Sequence, residues 1–156
     1  MSFALVNIKP ILPGHVLVSP LRRIPRFHDL TPHEVADLFA TVQRVSHTIE
    51  RVYKASALNI AIQDGEDAGQ SVPHVHVHII PRKHKDLDHM GGSDAIYRMM
   101  DGEEGDVGAH LEDINKSKTR TTFPAPDADD QRRPRTQDEM KEEAEWLAEE
   151  IQKDEN

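Results

Sequence analysis

The chain has 156 residues, of which 37% are hydrophobic and 30% charged, so it suits one domain, or one domain with a flexible appendage. It has no cysteine, which excludes disulfides, thiolate–metal sites and a cysteine nucleophile. The formal net charge of −9 is uneven: residues 1–85 carry ten Lys/Arg against seven Asp/Glu, which suits a small anionic ligand, and residues 86–156 carry nine against twenty-one, which argues against broad nucleic-acid binding.

Four short strands and one long helix are predicted in the first half of the chain. The predicted strands cover residues 3–9, 15–19, 57–63 and 74–81. A turn at Pro13-Gly14 joins the first two strands. Thr31 and Pro32 have the form of a helix start, with Thr31 as the N-cap and the proline in the first turn. The apolar stripe that follows, up to Tyr53, is typical of a core helix.

The chain changes character after the last predicted strand. Residues 84–135 contain glycine pairs, prolines and scattered charge without a sustained period, so we expect a charged and mostly disordered insert. Thr136 and Glu139 then have capping-box spacing and predict a helix over residues 136–153 that packs back on the domain core, residues 1–83.

These elements predict an α+β fold. We expect an antiparallel sheet with one long helix packed on it and a C-terminal helix. A core of this size is small enough that dimerisation would help to stabilise it.

No apolar run reaches the ~18 residues that a membrane-crossing helix needs. The N-terminus MSFALVNIKP also lacks the basic start and apolar block of a secretory signal. We therefore expect an intracellular protein without a membrane partner, located in the cytoplasm and with access to the nucleus.

Three histidines at two-residue spacing, His74, His76 and His78, are the feature most informative about function. In a strand they would line one face, while the residues between them enter the core. Such a row suits two chemistries. One is ligation of a metal such as zinc, and the other is covalent catalysis in which one histidine attacks an electrophile and its neighbours orient it. A polar strand face that only forms hydrogen bonds is the third reading.

The segment HVHVHII resembles the signature of the histidine triad (HIT) family of nucleotide hydrolases and transferases. FALVNIKPILPGHVLVSPLRR at 3–23, DLTPHEVADLF, and IQDGEDAGQSVPHVHVHIIPR at 62–82 are similar to the fragile histidine triad branch. The resemblance implies a HIT-like fold, a homodimer with a continuous sheet, and hydrolysis of diadenosine triphosphate to AMP and ADP through a nucleotidyl-histidine intermediate.

The resemblance also implies a role for each matching residue. His76 would be the nucleophile, His74 would orient the site, and His78 would contact phosphate and help proton transfer to the leaving group. The other implied site residues are a supporting histidine, a nucleoside contact, a phosphate-binding glutamine and a phosphate loop: His15, Asn7, Gln63, and Gly69, Gln70, Ser71 and Val72.

Relatives in this branch have a further segment before the block that begins here at Ser2. We therefore expect this chain to lack an early strand and part of the base pocket. No tightly bound cofactor or metal is expected, and Mg²⁺ or Mn²⁺ would stimulate by accompanying the substrate.

Three other functions remain open. A nucleoside phosphoramidate hydrolase or nucleotidyl transferase of the same superfamily would share the nucleophile and differ in the leaving group. A zinc-binding β-module would use two or three of the histidines. A nucleotide-binding signalling module would use the bound form, rather than turnover, as its output.

Overall fold

The computed structural model describes residues 1–100 and 134–154. Its strands and helices are, in chain order, β1 (Ser2–Val6), β2 (Val16–Pro20), α1 (Pro32–Tyr53), β3 (Ala57–Ala61), β4 (Val77–Arg82), α2 (Ala95–Met100) and α3 (Gln137–Asp154). No helix in these ranges is both long and apolar enough to cross a membrane.

The four strands form one antiparallel sheet in the order β1-β2-β4-β3. The long helix α1 covers one face, where Leu38 and Ile49 pack against Val77 and Ile79 of β4. Because strand side chains alternate, the neighbouring residues of β4 point to the other face. The predicted α+β fold, with an antiparallel sheet and one long helix packed on it, is confirmed.

The start of α1 is the one that the sequence predicts. The Thr31 hydroxyl accepts from the Glu34 backbone N–H at 3.3 Å, and the Glu34 carboxylate accepts from the Thr31 N–H at 2.9 Å. Pro32 occupies the first helical position, where its missing N–H costs nothing. Arg22 also bonds Glu34 at 2.7 Å, and this contact is the main reason why the pKa of Glu34 falls to about 2.

The closing helix α3 is present and begins with the predicted capping box. Glu139 accepts from the Thr136 N–H at 2.7 Å and donates its own N–H to the Thr136 hydroxyl at 3.2 Å. Further along, α3 contacts α1 through Arg51, which pairs with Glu150 and Asp154 at 2.8 Å each. The C-terminal helix therefore packs back on the core.

The expectation of disorder over residues 84–135 is wrong for residues 84–100. This part contains the helix α2, and its apolar side chains form a second core on the sheet face away from α1. That core consists of Ile11, Ile80, Leu87, Ala95, Ile96 and Met100. Only four of these residues lie in the segment 84–100, and the glycine pair Gly91-Gly92 separates Leu87 from the other three. The segment therefore shows no sustained apolar period. Residues 101–133 of the expected insert lie outside the described residues.

Candidate active site

The last strand begins later than predicted. It covers Val77–Arg82, so only His78 of the three histidines lies within it. The preceding residues pair elsewhere, because the Val75 N–H donates to the Ile24 carbonyl at 2.7 Å rather than to the sheet. Val75 still enters the α1 core with Val77. The side chains from His74 to His78 therefore still alternate between the two faces, although the chain before Val77 forms no regular strand pairing.

The strand register brings the predicted site residues to one face of the sheet, opposite α1. His78 lies across from Leu17 on β2 and from Ala61 on β3. If the β2–β4 pairing is extended by one residue beyond Val16, His15 lies beside β4. If the β3–β4 pairing is extended by two residues beyond Ala61, Gln63 lies opposite His76. The three elements thus converge on the segment that carries the histidines.

His74 is fully buried and both of its ring nitrogens meet the backbone. Nδ1 accepts from the Ile24 N–H at 3.1 Å, and Nε2 donates to the Pro20 carbonyl at 3.0 Å. Burial is the main cause that lowers the pKa of His74 to about 4. His74 is therefore a neutral histidine that ties the segment before β4 to the end of β2.

His76 receives its orientation from the residue two positions earlier. Its Nδ1 lies 2.7 Å from the carbonyl oxygen of His74, which is a short hydrogen bond in which the nitrogen donates. A neutral imidazole carries one proton, so this bond leaves the lone pair on Nε2. That tautomer is the one a nucleophilic histidine needs.

His78 receives its orientation from His15, which lies on the loop before β2. The Ile11 N–H donates to Nδ1 of His15 at 3.2 Å, so His15 carries its proton on Nε2. This nitrogen lies 3.0 Å from Nδ1 of His78 and donates to it. His78 therefore carries its own proton on Nε2, a buried atom without a hydrogen-bond partner among the described residues.

The ring of His78 lies close to both of its partners. Its centroid is 5.2 Å from that of His15 and 5.0 Å from that of His76. Burial, followed by the nearby His76 and His15, lowers the pKa of His78 well below 6.5. His78 is thus a neutral hydrogen-bond donor beside the lone pair of His76. The predicted help of His78 in proton transfer to the leaving group stays a prediction.

Asn7 lies beside His15 and is fully buried. Its amide nitrogen is 3.4 Å from both ring nitrogens of His15, and its amide oxygen accepts from the Lys9 N–H at 2.9 Å. The structure therefore places Asn7 as a support of His15. The predicted nucleoside contact stays a prediction.

Gln63 is buried at the end of β3 and contacts the second core. Its amide nitrogen donates to the Met100 carbonyl at 3.3 Å, and its amide oxygen has no hydrogen-bond partner in the described part of the chain. One amide hydrogen remains for a ligand, which agrees with the predicted phosphate contact. The last residue of α2 thus orients a predicted site residue.

The loop before the histidines holds itself in place through Gln70. This side chain accepts from the Gly65 N–H at 2.8 Å and donates to the Pro25 carbonyl at 3.0 Å. Gly69 has a φ of 89°, a left-handed conformation that favours glycine. Ser71 and Val72 continue toward the histidines, and Val72 accepts from the His74 N–H at 2.7 Å. Gln70 therefore shapes the loop, and its predicted donation to phosphate, for which one amide hydrogen remains, stays a prediction.

An apolar patch on the same face was missed by the sequence analysis. Leu17 is fully buried there, with Phe3, Leu5 and Val72 packed against it. Leu17 lies directly across from His78. The alternation of β1 and β2 contained this signal, because Phe3, Leu5 and Leu17 share a face with the histidine that the motif singles out.

The arrangement does not favour a metal centre built on the three histidines. Ligation by His74 would break at least one of its two backbone hydrogen bonds. In residues 1–100 and 134–154, no three His, Asp or Glu side chains lie together in a way that could hold a metal ion.

A groove of about 370 Å³ lies between β1, α1 and α3, and none of the triad histidines lines it.

Comparison with known proteins agrees with this geometry. The model of the HIT domain matches residues 1–85. The chain is 49% identical over 153 residues to the bis(5'-nucleosyl)-tetraphosphatase (asymmetrical) of Schizosaccharomyces pombe, which covers 94% of this chain and 82% of that protein. It is 48% identical to the bifunctional bis(5'-adenosyl)-triphosphatase/adenylylsulfatase FHIT of Arabidopsis thaliana, over 76% of this chain and 63% of the relative.

A solved structure gives the same result. The diadenosine triphosphate hydrolase of Plasmodium falciparum, crystallised with cyclomarin A, matches with a TM-score of 0.54 and 33% identity, over 74% of this chain and 69% of that chain. The buried histidine row, the sheet that carries it and these likenesses lead to one conclusion: the chain belongs to the histidine triad family, in its fragile histidine triad branch.

Proposed function

We propose that this protein hydrolyses dinucleoside polyphosphates through a nucleotide bound to His76. The observation that carries the proposal is the 2.7 Å hydrogen bond from Nδ1 of His76 to the His74 carbonyl, because it leaves the lone pair on Nε2. The names of the relatives, which are dinucleoside tri- and tetraphosphatases, support the same reaction class.

In the first step, Nε2 of His76 attacks the α-phosphorus of the substrate. A nitrogen–phosphorus bond forms, and the bond from phosphorus to the bridging oxygen breaks. The remaining nucleoside polyphosphate leaves with the bridging oxygen and its electron pair. A neutral ring can approach the polyphosphate anion, and the His74 carbonyl stabilises the positive charge that forms on the His76 ring.

In the second step, water attacks the phosphorus of the histidine-bound nucleotide. The nitrogen–phosphorus bond breaks, the nucleoside monophosphate takes up the hydroxyl group, and the remaining proton passes to solvent. His78 donates a hydrogen bond from Nε2 to the phosphate oxygens in both steps. It need not give up its proton, because a nucleotide phosphate is a good leaving group as an anion.

Substrate recognition rests on few groups. The remaining amide hydrogen of Gln63 would donate to phosphate, and the partly buried Phe3 and Leu5, packed on Leu17, would contact the base. The triad itself supplies no positive charge, so Mg²⁺ or Mn²⁺ bound to the substrate would offset the phosphate charge. We infer no resident cofactor.

The preferred substrate is diadenosine triphosphate, cleaved to AMP and ADP. The names of the relatives differ on the length of the phosphate chain, since one is a tetraphosphatase and two are triphosphatases. Incubation with diadenosine tri- and tetraphosphate, with the rate of each measured, decides which chain length is preferred. Attack at the α-phosphorus gives AMP and ADP from the triphosphate, and AMP and ATP from the tetraphosphate.

Replacement of the nucleophile tests the mechanism. His76→Ala should lower turnover by on the order of 10⁴-fold while substrate still binds, because the covalent step is lost. The surface change His84→Ala is the control and should keep full turnover. Quenching without acid should trap radiolabelled AMP on the unsubstituted protein and none on His76→Ala. Full activity of His76→Ala would overturn the mechanism.

The same assay separates other outcomes. A higher kcat/KM for a nucleoside phosphoramidate than for diadenosine triphosphate would favour the other hydrolase of the superfamily. Activity lost on chelation together with one bound zinc per chain would indicate metal catalysis instead.

We also infer a homodimer in which β3 pairs with its copy. In the described sheet β3 is an edge strand, and its Ile60 is 48% exposed. An exposed edge with an apolar side chain is a surface that favours pairing with another strand. Location in the cytoplasm and nucleus stays a prediction.

A further inference from the structure

The position of His15 depends on an irregular loop. The pairing of β1 with β2 ends at Val6 opposite Val16, so residues 7–15 lie outside the regular ladder. One backbone bond, from the Asn7 N–H to the His15 carbonyl at 3.3 Å, extends across the base of the loop. Because His15 sets the tautomer of His78, whatever holds this loop also affects the site.

Arg135, from just before α3, contacts the first part of this loop. Its Nε donates to the Asn7 carbonyl at 3.0 Å, Nη2 donates to the same oxygen, and its backbone N–H donates to the Ile8 carbonyl at 2.8 Å. The guanidinium also pairs with the Glu143 carboxylate through Nη1. The arginine side chain is 19% exposed and the glutamate 16%, so the ion pair is well shielded from water.

The same ion pair reaches the other end of the loop through Tyr53. The Tyr53 hydroxyl donates to Glu143 at 2.6 Å, and burial, followed by this hydrogen bond, raises the pKa of Tyr53. The Tyr53 ring lies against Gly14, where an added Cβ would come within 2.6 Å of it. Gly14 directly precedes His15. Both ends of the loop are therefore held by side chains that are linked through Glu143, namely Tyr53 and Arg135.

We propose that Arg135 is a positioning residue for catalysis, which acts through Asn7 and His15 on the tautomer of His78. The proposal rests on the proposed function, since it assigns a role in the same reaction. Asn7 contacts His15 with its side chain at 3.4 Å while its carbonyl is held by Arg135. Loss of the guanidinium leaves that buried carbonyl short of its donors, and the loop shifts to satisfy it.

Kinetics of Arg135→Gln test the proposal. We expect kcat to fall by on the order of tenfold, the lower end of the range found for groups that orient metal-bound histidines, with KM changed by less than about threefold. Arg135→Lys should recover part of kcat, since it keeps one charged donor. Arg51→Gln is the matched control, because it removes the α1–α3 ion pairs of Glu150 and Asp154 without touching the loop. It should keep kcat. An equal loss of kcat in both glutamine variants would show a general effect of α3 and overturn the proposal.

Two readouts exclude a merely structural role. In a His15→Ala background, Arg135→Gln should not lower kcat further, because both changes act on one path. In ¹⁵N spectra of the full chain, His78 should be the single Nε2–H tautomer in the unsubstituted protein and a mixture of the Nδ1–H and Nε2–H tautomers in Arg135→Gln. Since the spectra need no substrate, they separate this proposal from the proposed function: absent turnover contradicts only the function. An unchanged His78 tautomer in Arg135→Gln would overturn the role of Arg135.

Discussion

The tautomers of His76, His15 and His78 depend on two backbone groups. The His74 carbonyl sets His76, and the Ile11 N–H sets His15 and, through it, His78. A hydrogen bond at one ring nitrogen decides which form the other nitrogen takes. The site therefore holds its imidazoles in defined tautomers, which suits attack by one ring nitrogen on an electrophile.

The stability of the protein should depend on the same burial. The pKa of His74 is about 4 in the folded protein against 6.5 in the unfolded chain, and that of His78 is also lowered. At pH values between the folded and the unfolded pKa, the unfolded chain binds more protons than the folded protein does. The free energy of unfolding therefore falls as the pH drops below 6.5. Each histidine adds a slope of up to about 1.4 kcal/mol per pH unit.

Urea titrations between pH 7.5 and pH 4.5 measure this slope. His74→Asn should lower the stability at pH 7.5 and make it less dependent on pH. His84→Gln, a change at the surface, should keep the slope of the unsubstituted protein. If His74→Asn keeps the full slope, then protonation of His74 does not contribute to acid unfolding.

At the scale of single elements, α2 links packing to the site. Ile96 and Met100 fill the second core beside Ile80 of β4, and the Met100 carbonyl holds the amide of Gln63. The helix α2, which lies in the segment predicted to be a disordered insert, thus covers the sheet next to the histidines.

Ile96→Ala should therefore destabilise the protein by about 2–5 kcal/mol, because it leaves a cavity in a small core. The neighbouring Tyr97 is 62% exposed against 1% for Ile96, so Tyr97→Ala is the matched control and should change stability by less than about 0.5 kcal/mol. Thermal unfolding of the two variants gives the comparison. Equal melting temperatures would mean that α2 does not pack on the sheet in solution.

At the scale of the whole molecule, the inferred homodimer makes a prediction about β3. Ile60→Lys should raise the dimer dissociation constant at least tenfold, about 1.4 kcal/mol, because it puts a charge into the paired edge. Leu21→Lys is the control, since Leu21 is similarly exposed, at 50%, and lies beside the other edge of the sheet, where its N–H donates to Met1. Sedimentation velocity measures both. A dimer that is unaffected by Ile60→Lys would place the interface elsewhere.

Local signals in the sequence were enough to predict much of this protein. The N-cap at Thr31, the capping box at Thr136 and the row His74, His76, His78 depend on residues a few positions apart, so they can be recognised from spacing alone. The fold class and the family follow from these short patterns. Their physical basis is local hydrogen bonding and alternation along one strand.

Only the tertiary structure decided how the site is held. The His15–His78 bond joins residues 63 positions apart, and the contact of Arg135 with Asn7 joins residues 128 apart. Such contacts arise when the sheet and α3 assemble, so no local pattern encodes them. The packing of α2 and the late start of β4 have the same origin, because buried groups take whichever partner the assembled fold brings within reach.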